Sequence, residues 1–202
     1  MAEADPIGQR TDDELARQAR AGSRRSFEEL ARRYKRRLFV YLRPRLGSDE
    51  DAEDMVQETF LKLYRNIESY DPAFRFSTWL YSSANRLAIS SFRKNKVLVG
   101  SLRAEEAGTL ADLGPGAGGQ TDRAGLWEAA RSLGVSQFRA LWLRYGEDLS
   151  IDEIAVALGR SRLAVRLLLH RARLNVMMRV APAPNGAKAV AKAAAVRGTA
   201  RK

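Results

Sequence analysis

The sequence predicts an all-α chain: two small helical domains joined by a flexible linker, the C-terminal one a helix-turn-helix. Three observations predict it. Apolar residues recur at spacings of three and four on either side of a glycine-rich break, no alternating strand pattern competes, and a capping signature opens a short helix just before a glycine and an arginine-rich helix. The implied organisation is an N-terminal extension over 1–22, a first domain over 23–97, a linker over 98–122, a second domain over 123–180 and a disordered basic tail over 181–202.

From Ser23 the first helix places Phe27, Leu30, Ala31, Tyr34, Leu38, Tyr41 and Leu42 on one face, and Pro44 with Gly47 closes it. In the second, Ala52, Met55, Val56, Phe60, Leu63 and Ile67 point inward while Asp54, Gln57, Glu58 and Arg65 point outward. Tyr70-Asp71-Pro72 ends that run, because proline disfavours helix in the residue before it. A third helix over Ser77 to Lys94 packs Trp79, Leu80, Ala84, Leu87 and Ala88 and leaves Arg86, Arg93 and Lys94 solvated.

The stretch GSLRAEEAGTLADLGPGAGGQTD is too rich in glycine to support a core and reads as the linker. Helical pattern resumes over Arg123 to Leu133 and Ser136 to Tyr145, with Phe138, Leu141, Trp142 and Tyr145 apolar. Ser150 with Glu153 forms a capping box, Gly159 supplies a left-handed stop, and Ser161 caps a last helix packing Val165, Leu169, Ala172 and Val176.

Composition limits the function. Lys plus Arg is 35 against 24 for Asp plus Glu, a net charge of +11, which favours a polyanion: nucleic acid or an anionic membrane surface. With no cysteine there is no disulfide, thiolate metal site or cysteine nucleophile, and a reducing cytoplasm fits. The N-terminus has no apolar core of a signal peptide, and no run is long enough to span a membrane.

Several constellations could carry function. A short helix, a glycine turn and a helix bearing Arg162, Arg166, Arg171 and Arg173 suit a reader of the DNA major groove, and an ordinary hairpin with a solvated basic face would look similar. Asp49, Glu50, Asp51, Glu53, Asp54 and Glu58 crowd the start of the second helix, where the helix dipole favours carboxylates. Within that cluster Asp54, Gln57, Glu58 and Leu61 share one face, which suits docking onto a basic protein helix. Nothing is spaced to complete a metal site there. In FRFSTWLYSSANRLAISSFRK, Phe74, Phe76, Trp79 and Tyr81 interleave with Arg75, Arg86, Arg93 and Lys94, as stacking on unpaired bases and holding of phosphates require, although Trp79 alone suits the core equally well. His170 is the only histidine and has no catalytic company, so neither catalysis nor a cofactor is expected.

In this order, the segments resemble the extracytoplasmic-function (ECF) sigma factors of bacterial RNA polymerase. DAEDMVQETFLKLYRNIESYDP is similar to the family's polymerase-binding segment, FSTWLYSSANRLAISSFRK to its promoter-melting and minus-ten segment, and LGVSQFRALWLRYGEDLSIDEIAVALGRSRLAVRLLLHRARLNV to its minus-thirty-five domain. The resemblance implies that Asp54, Gln57, Glu58 and Leu61 contact core RNA polymerase. It implies minus-ten contacts from Phe74, Arg75, Phe76, Trp79, Asn85, Arg86, Arg93 and Lys94, and minus-thirty-five contacts from Arg160, Arg162, Arg166, His170 and Arg173. Promoter DNA, core polymerase and an anti-sigma factor are the implied partners, in the cytoplasm or held at the membrane by such an inhibitor. Ser90 stands where the family usually has Asp, Arg86 where it often has Asn, and Arg166-Leu167-Leu168 where Lys-Ser-Arg is usual. Leu163, Leu167 and Leu174 form a stripe that reads either as extra core or as a docking surface. The competing readings are a free-standing helix-turn-helix regulator and a nucleic-acid enzyme built on the acidic cluster.

Overall fold

The computed structural model describes residues 7–98 and 121–180, and among these every regular element is helical. The expected linker and basic tail lie outside the described residues, except that Leu98 and residues 121–122 belong to helices.

The first half begins earlier than the apolar periodicity suggested. Helix α1 (Asp12–Arg20) starts at a capping box between Thr11 and Glu14 and buries Leu15, Ala16 and Ala19. It packs on α2 (Arg24–Leu46), which Ser23 caps. Pro44, expected to help close α2, lies inside its last turn, where only one intrahelical bond is forfeited; Gly47 ends the helix at φ 84. Helix α3 (Asp49–Arg65) buries Ala52, Met55, Val56, Thr59 and Leu63. Asp13 of α1 accepts a hydrogen bond from the backbone N–H of Phe76 at 2.8 Å, satisfying a free donor at the start of α4 (Phe76–Leu98). Around Phe76 the rings of Tyr34, Tyr70 and Trp79 meet at centroid distances of 5.5, 6.2 and 6.1 Å.

In the second half, α5 (Thr121–Arg131) and α6 (Val135–Leu141) lead into a wider π turn, Trp142–Gly146. Trp142 opens this turn, buried 5.3 Å from Trp127 and stacked on Phe138, and a Cβ at Gly146 would lie 3.3 Å from the Trp142 ring. Helix α7 (Ile151–Leu158) opens at the Ser150–Glu153 capping box and stops at left-handed Gly159 (φ 63). Helix α8 (Arg162–Val180) then buries Val165, Leu169, Ala172 and Val176, completing the helix-turn-helix. The halves meet where α4 packs against α7 and α2 against α6.

Candidate nucleic-acid interface

Helix α3 presents its polar face because its other face is spent on the core. Asp54, Gln57, Glu58 and Leu61 are all exposed, Leu61 to 56%, and they line one side of the helix. The carboxylates nearer the N-terminus have local partners: Asp49 pairs with Arg43, and Asp51 accepts from the Ser48 hydroxyl at 2.6 Å. Asp54 and Glu58 have no ion pair among the described residues, so within these no direct pairing offsets the negative charge of this face.

The aromatic-basic segment divides. Phe74 and Arg86 are exposed and Trp79 is half-buried against Tyr70. Phe76 is fully buried and in this arrangement has no free face for a base. Asn85 is buried beneath the second half, its Oδ1 accepting from Arg139 at 2.7 Å and Arg45 at 3.2 Å. Arg75 reaches across to the Asp148 carbonyl at 2.9 Å. Arg93 and Lys94 lie in α4, but their side chains fall outside the described residues.

On the helix-turn-helix, Arg160, Arg162, Arg166, His170 and Arg173 are all exposed. Arg162 pairs with Asp152 of α7, and the Arg173 guanidinium lies 5.8 Å from the Tyr145 ring centre. Between these cations Leu163 and Leu167 are 66% and 48% exposed, and Leu174 is exposed too, so the leucine stripe is surface rather than extra core. Leu168 turns partly inward.

Sequence reasoning missed the seam between the halves. Glu147, 3% exposed, accepts from Arg37 Nη2 at 2.5 Å, Arg37 Nε at 3.0 Å and the Tyr81 hydroxyl at 2.6 Å. Burial pushes its carboxyl above the ordinary carboxylate value, while Arg37 and Tyr81 pull it back. The Thr78 hydroxyl donates to Glu153 at 3.2 Å nearby. Arg37 and Glu147 are separated by 110 residues, so no local pattern announces the pair.

Among the described residues no group of His, Cys, Asp and Glu is placed to hold a metal, and no helix is long and apolar enough to cross a membrane.

Residues 30–97 match the family model for sigma-70 region 2, and residues 123–176 that for sigma-70 region 4. The chain is 39% identical over 93 residues to the ECF RNA polymerase sigma factor SigW of Bacillus subtilis, a match covering 46% of this chain and 49% of that protein. It is 29% identical to the ECF RNA polymerase sigma factor BldN of Streptomyces coelicolor over 84% of this chain and 65% of that one. With the RNA polymerase sigma factor CarQ of Myxococcus xanthus it shares 30% identity over 75% of this chain and 87% of CarQ. The chain thus spans about half of the first of these relatives and just under two thirds of the second. Among solved structures, CnrH in complex with the cytosolic domain of CnrY has the same fold, with a TM-score of 0.57 and 23% identity, covering 84% of this chain and 96% of CnrH. The sigma factor RpoE in complex with the anti-sigma factor NepR from Bartonella quintana gives 0.56 and 20%, covering 72% and 91%.

Proposed function

The chain belongs to the RNA polymerase sigma factors of the ECF type, and from that premise we propose that it joins core RNA polymerase, directs it to a two-part promoter and helps open the DNA. The observation that carries this reading is the pairing, in one chain, of a region 2 with an uncompensated anionic face on α3 and a region 4 whose α8 carries outward arginines. Neither half suffices alone, since a helix-turn-helix by itself serves many regulators.

In the proposed division of labour, Asp54, Gln57, Glu58 and Leu61 meet a basic helix of the polymerase. Phe74, Arg75, Trp79, Arg86, Arg93 and Lys94 hold the opened minus-ten strand, joined by Asn85 once the halves part and by Phe76 once the segment rearranges. Arg160, Arg162, Arg166, His170 and Arg173 face the upstream element. Stacking on unpaired bases and charge-assisted phosphate contacts supply the binding energy that separates strands. No bond of the substrate is made or broken by this chain; RNA synthesis stays with the polymerase. By the same likeness an anti-sigma factor is a further partner, and the cytoplasm is the place of action.

The test is run-off transcription with core polymerase and this chain, alongside co-purification of the two. Asp54→Arg combined with Glu58→Arg reverses exposed charges that no described residue compensates, so helicity and melting temperature stay put while polymerase binding is lost. Retained polymerase binding by that variant, or tight operator binding with no transcription stimulated, would count against the proposal and favour a free-standing regulator.

A further inference from the structure

The seam holds a second group of charges whose chemistry is the opposite of the Arg37–Glu147 pair. A cavity of about 260 Å³ opens between the halves, bounded by Arg45 of α2, Asn85 of α4, Ser136 and Arg139 of α6, and Arg160 beyond α7. None of the described residues lining it is a carboxylate. Arg139 is 5% exposed, and its Nη2 donates to Asn85 and to the Tyr41 hydroxyl, both neutral acceptors. Its Nε is buried without a hydrogen-bond partner. The guanidinium also lies over the Tyr41 ring, 4.4 Å from its centre, which softens but does not neutralise its charge.

A buried cation without a counter-ion is costly, and a second cation beside it adds repulsion. Arg45 shares the Asn85 oxygen with Arg139, and burial together with the Arg139 charge holds its pKa below the ordinary arginine value. Arg160 adds positive charge at the exposed rim. Among the described residues, the same seam supplies Arg37 with a carboxylate but places none in the lining of this cavity.

We propose that this cavity binds a small oxyanion of the phosphate class, held by Arg139 through its unpartnered Nε, by Arg45 and by Arg160. Guanidinium groups match tetrahedral and planar oxyanions through their forked donors, and several converging on one site favour a multiply charged ion over chloride. The ligands come from both halves, so the anion bridges them. By linkage, what favours the closed seam favours the anion, and the reverse. Asn85 and Arg160 are also proposed DNA contacts, so occupancy holds them away from the promoter. This site stands on its own geometry and survives even if the promoter reading fails.

The experiment is titration of the full chain with inorganic phosphate at ionic strength held constant with sodium chloride, followed by calorimetry and thermal unfolding. A saturable single-site isotherm and a rising unfolding midpoint are expected. Arg139→Gln weakens binding by about tenfold or more, the usual worth of a charge-assisted hydrogen bond. Because Arg139 is buried, Arg45→Gln serves as the second variant, with helicity as the check, and weakens binding several-fold. AMP in place of inorganic phosphate shows whether the bound form is the free ion or an ester; a preference for either supports the site. A response to phosphate no different from chloride overturns it, as does saturable binding that both variants leave unchanged, since the anion would then lie on the outer arginines.

Discussion

Glu147→Gln is expected to loosen the seam without unfolding either half. The carboxylate accepts three charge-assisted or hydroxyl hydrogen bonds, from Arg37 Nη2, Arg37 Nε and Tyr81. Glutamine keeps the shape but loses the charge, and it turns an amide N–H₂ towards one of those donors. Breaking a fully buried ion pair costs about 3–5 kcal/mol, chiefly through the charge left behind. Here that charge is Arg37, whose side chain is 34% exposed and rehydrates, so the figure is discounted to about 2 kcal/mol. At 1.36 kcal/mol per factor of ten, that raises the population of separated halves by about thirtyfold. The chain has no cysteine, so Lys35→Cys with Met177→Cys, both at exposed positions, carries a pair of dyes that report the distance between the halves. A double-mutant cycle with Arg37→Gln isolates the pair, with an expected coupling of about 1.5 kcal/mol or more. Unchanged energy transfer in Glu147→Gln, or a coupling under about 0.5 kcal/mol, would refute the assignment of the seam to this pair.

Ser150→Ala removes the hydroxyl that accepts from the Glu153 N–H at 3.2 Å and should destabilise the second half by about 1 kcal/mol in urea unfolding, leaving the first half unaffected. Glu29, bonded by Arg32 and Arg33, is held down to about 2 from an ordinary value of 4.5. Its folded pKa lies below its unfolded one, so the stability it contributes is present in full above 4.5 and is lost as the pH falls through about 2. An NMR titration of the Glu29 carboxyl should find its midpoint near 2, rising in Arg33→Ala. Leu167→Lys replaces a half-exposed leucine and should change stability by less than about 0.5 kcal/mol while strengthening duplex DNA binding in a salt-dependent way.

What the sequence revealed and what it hid divide along the range of the interactions involved. The faces of α2, α3 and α8 were legible because helical periodicity is local, and the turn after α7 was legible because Ser150, Glu153 and Gly159 carry their own geometry. Thr11 and Glu14 carry the same signature, but the short helix they open offers only Leu15, Ala16 and Ala19 as apolar weight, too little for a sustained periodicity. Phe74 and Phe76 look alike in sequence, yet one is exposed and the other lies under Tyr34 from a different helix. In the sequence Arg139, within a helical run, and Glu147, just beyond it, look like ordinary charged residues. Only the meeting of the halves buries them, and a pairing across 110 residues leaves no periodic trace.

The chemistry of the seam bears on how the proposed activity could be switched. Apolar residues of both halves join one core, but the seam also carries an ion pair, tyrosine hydroxyls, an asparagine and a threonine–glutamate bond, polar contacts of the kind found where domains part reversibly. The proposed DNA contacts are not equally affected by it. Arg166 and His170 stay exposed while the halves are together, but Asn85 is covered by Arg139 and Arg75 is engaged by Asp148. A ligand that binds only the separated form gains apparent affinity in proportion to that form's population, whereas one that binds both forms gains nothing. Glu147→Gln should therefore tighten binding of a labelled minus-ten single strand by up to the same factor of about thirty, and leave duplex binding through α8 unchanged. Equal gains for both DNAs would mean that the substitution acts through net charge, and the seam would then have no part in exposing the strand-binding face.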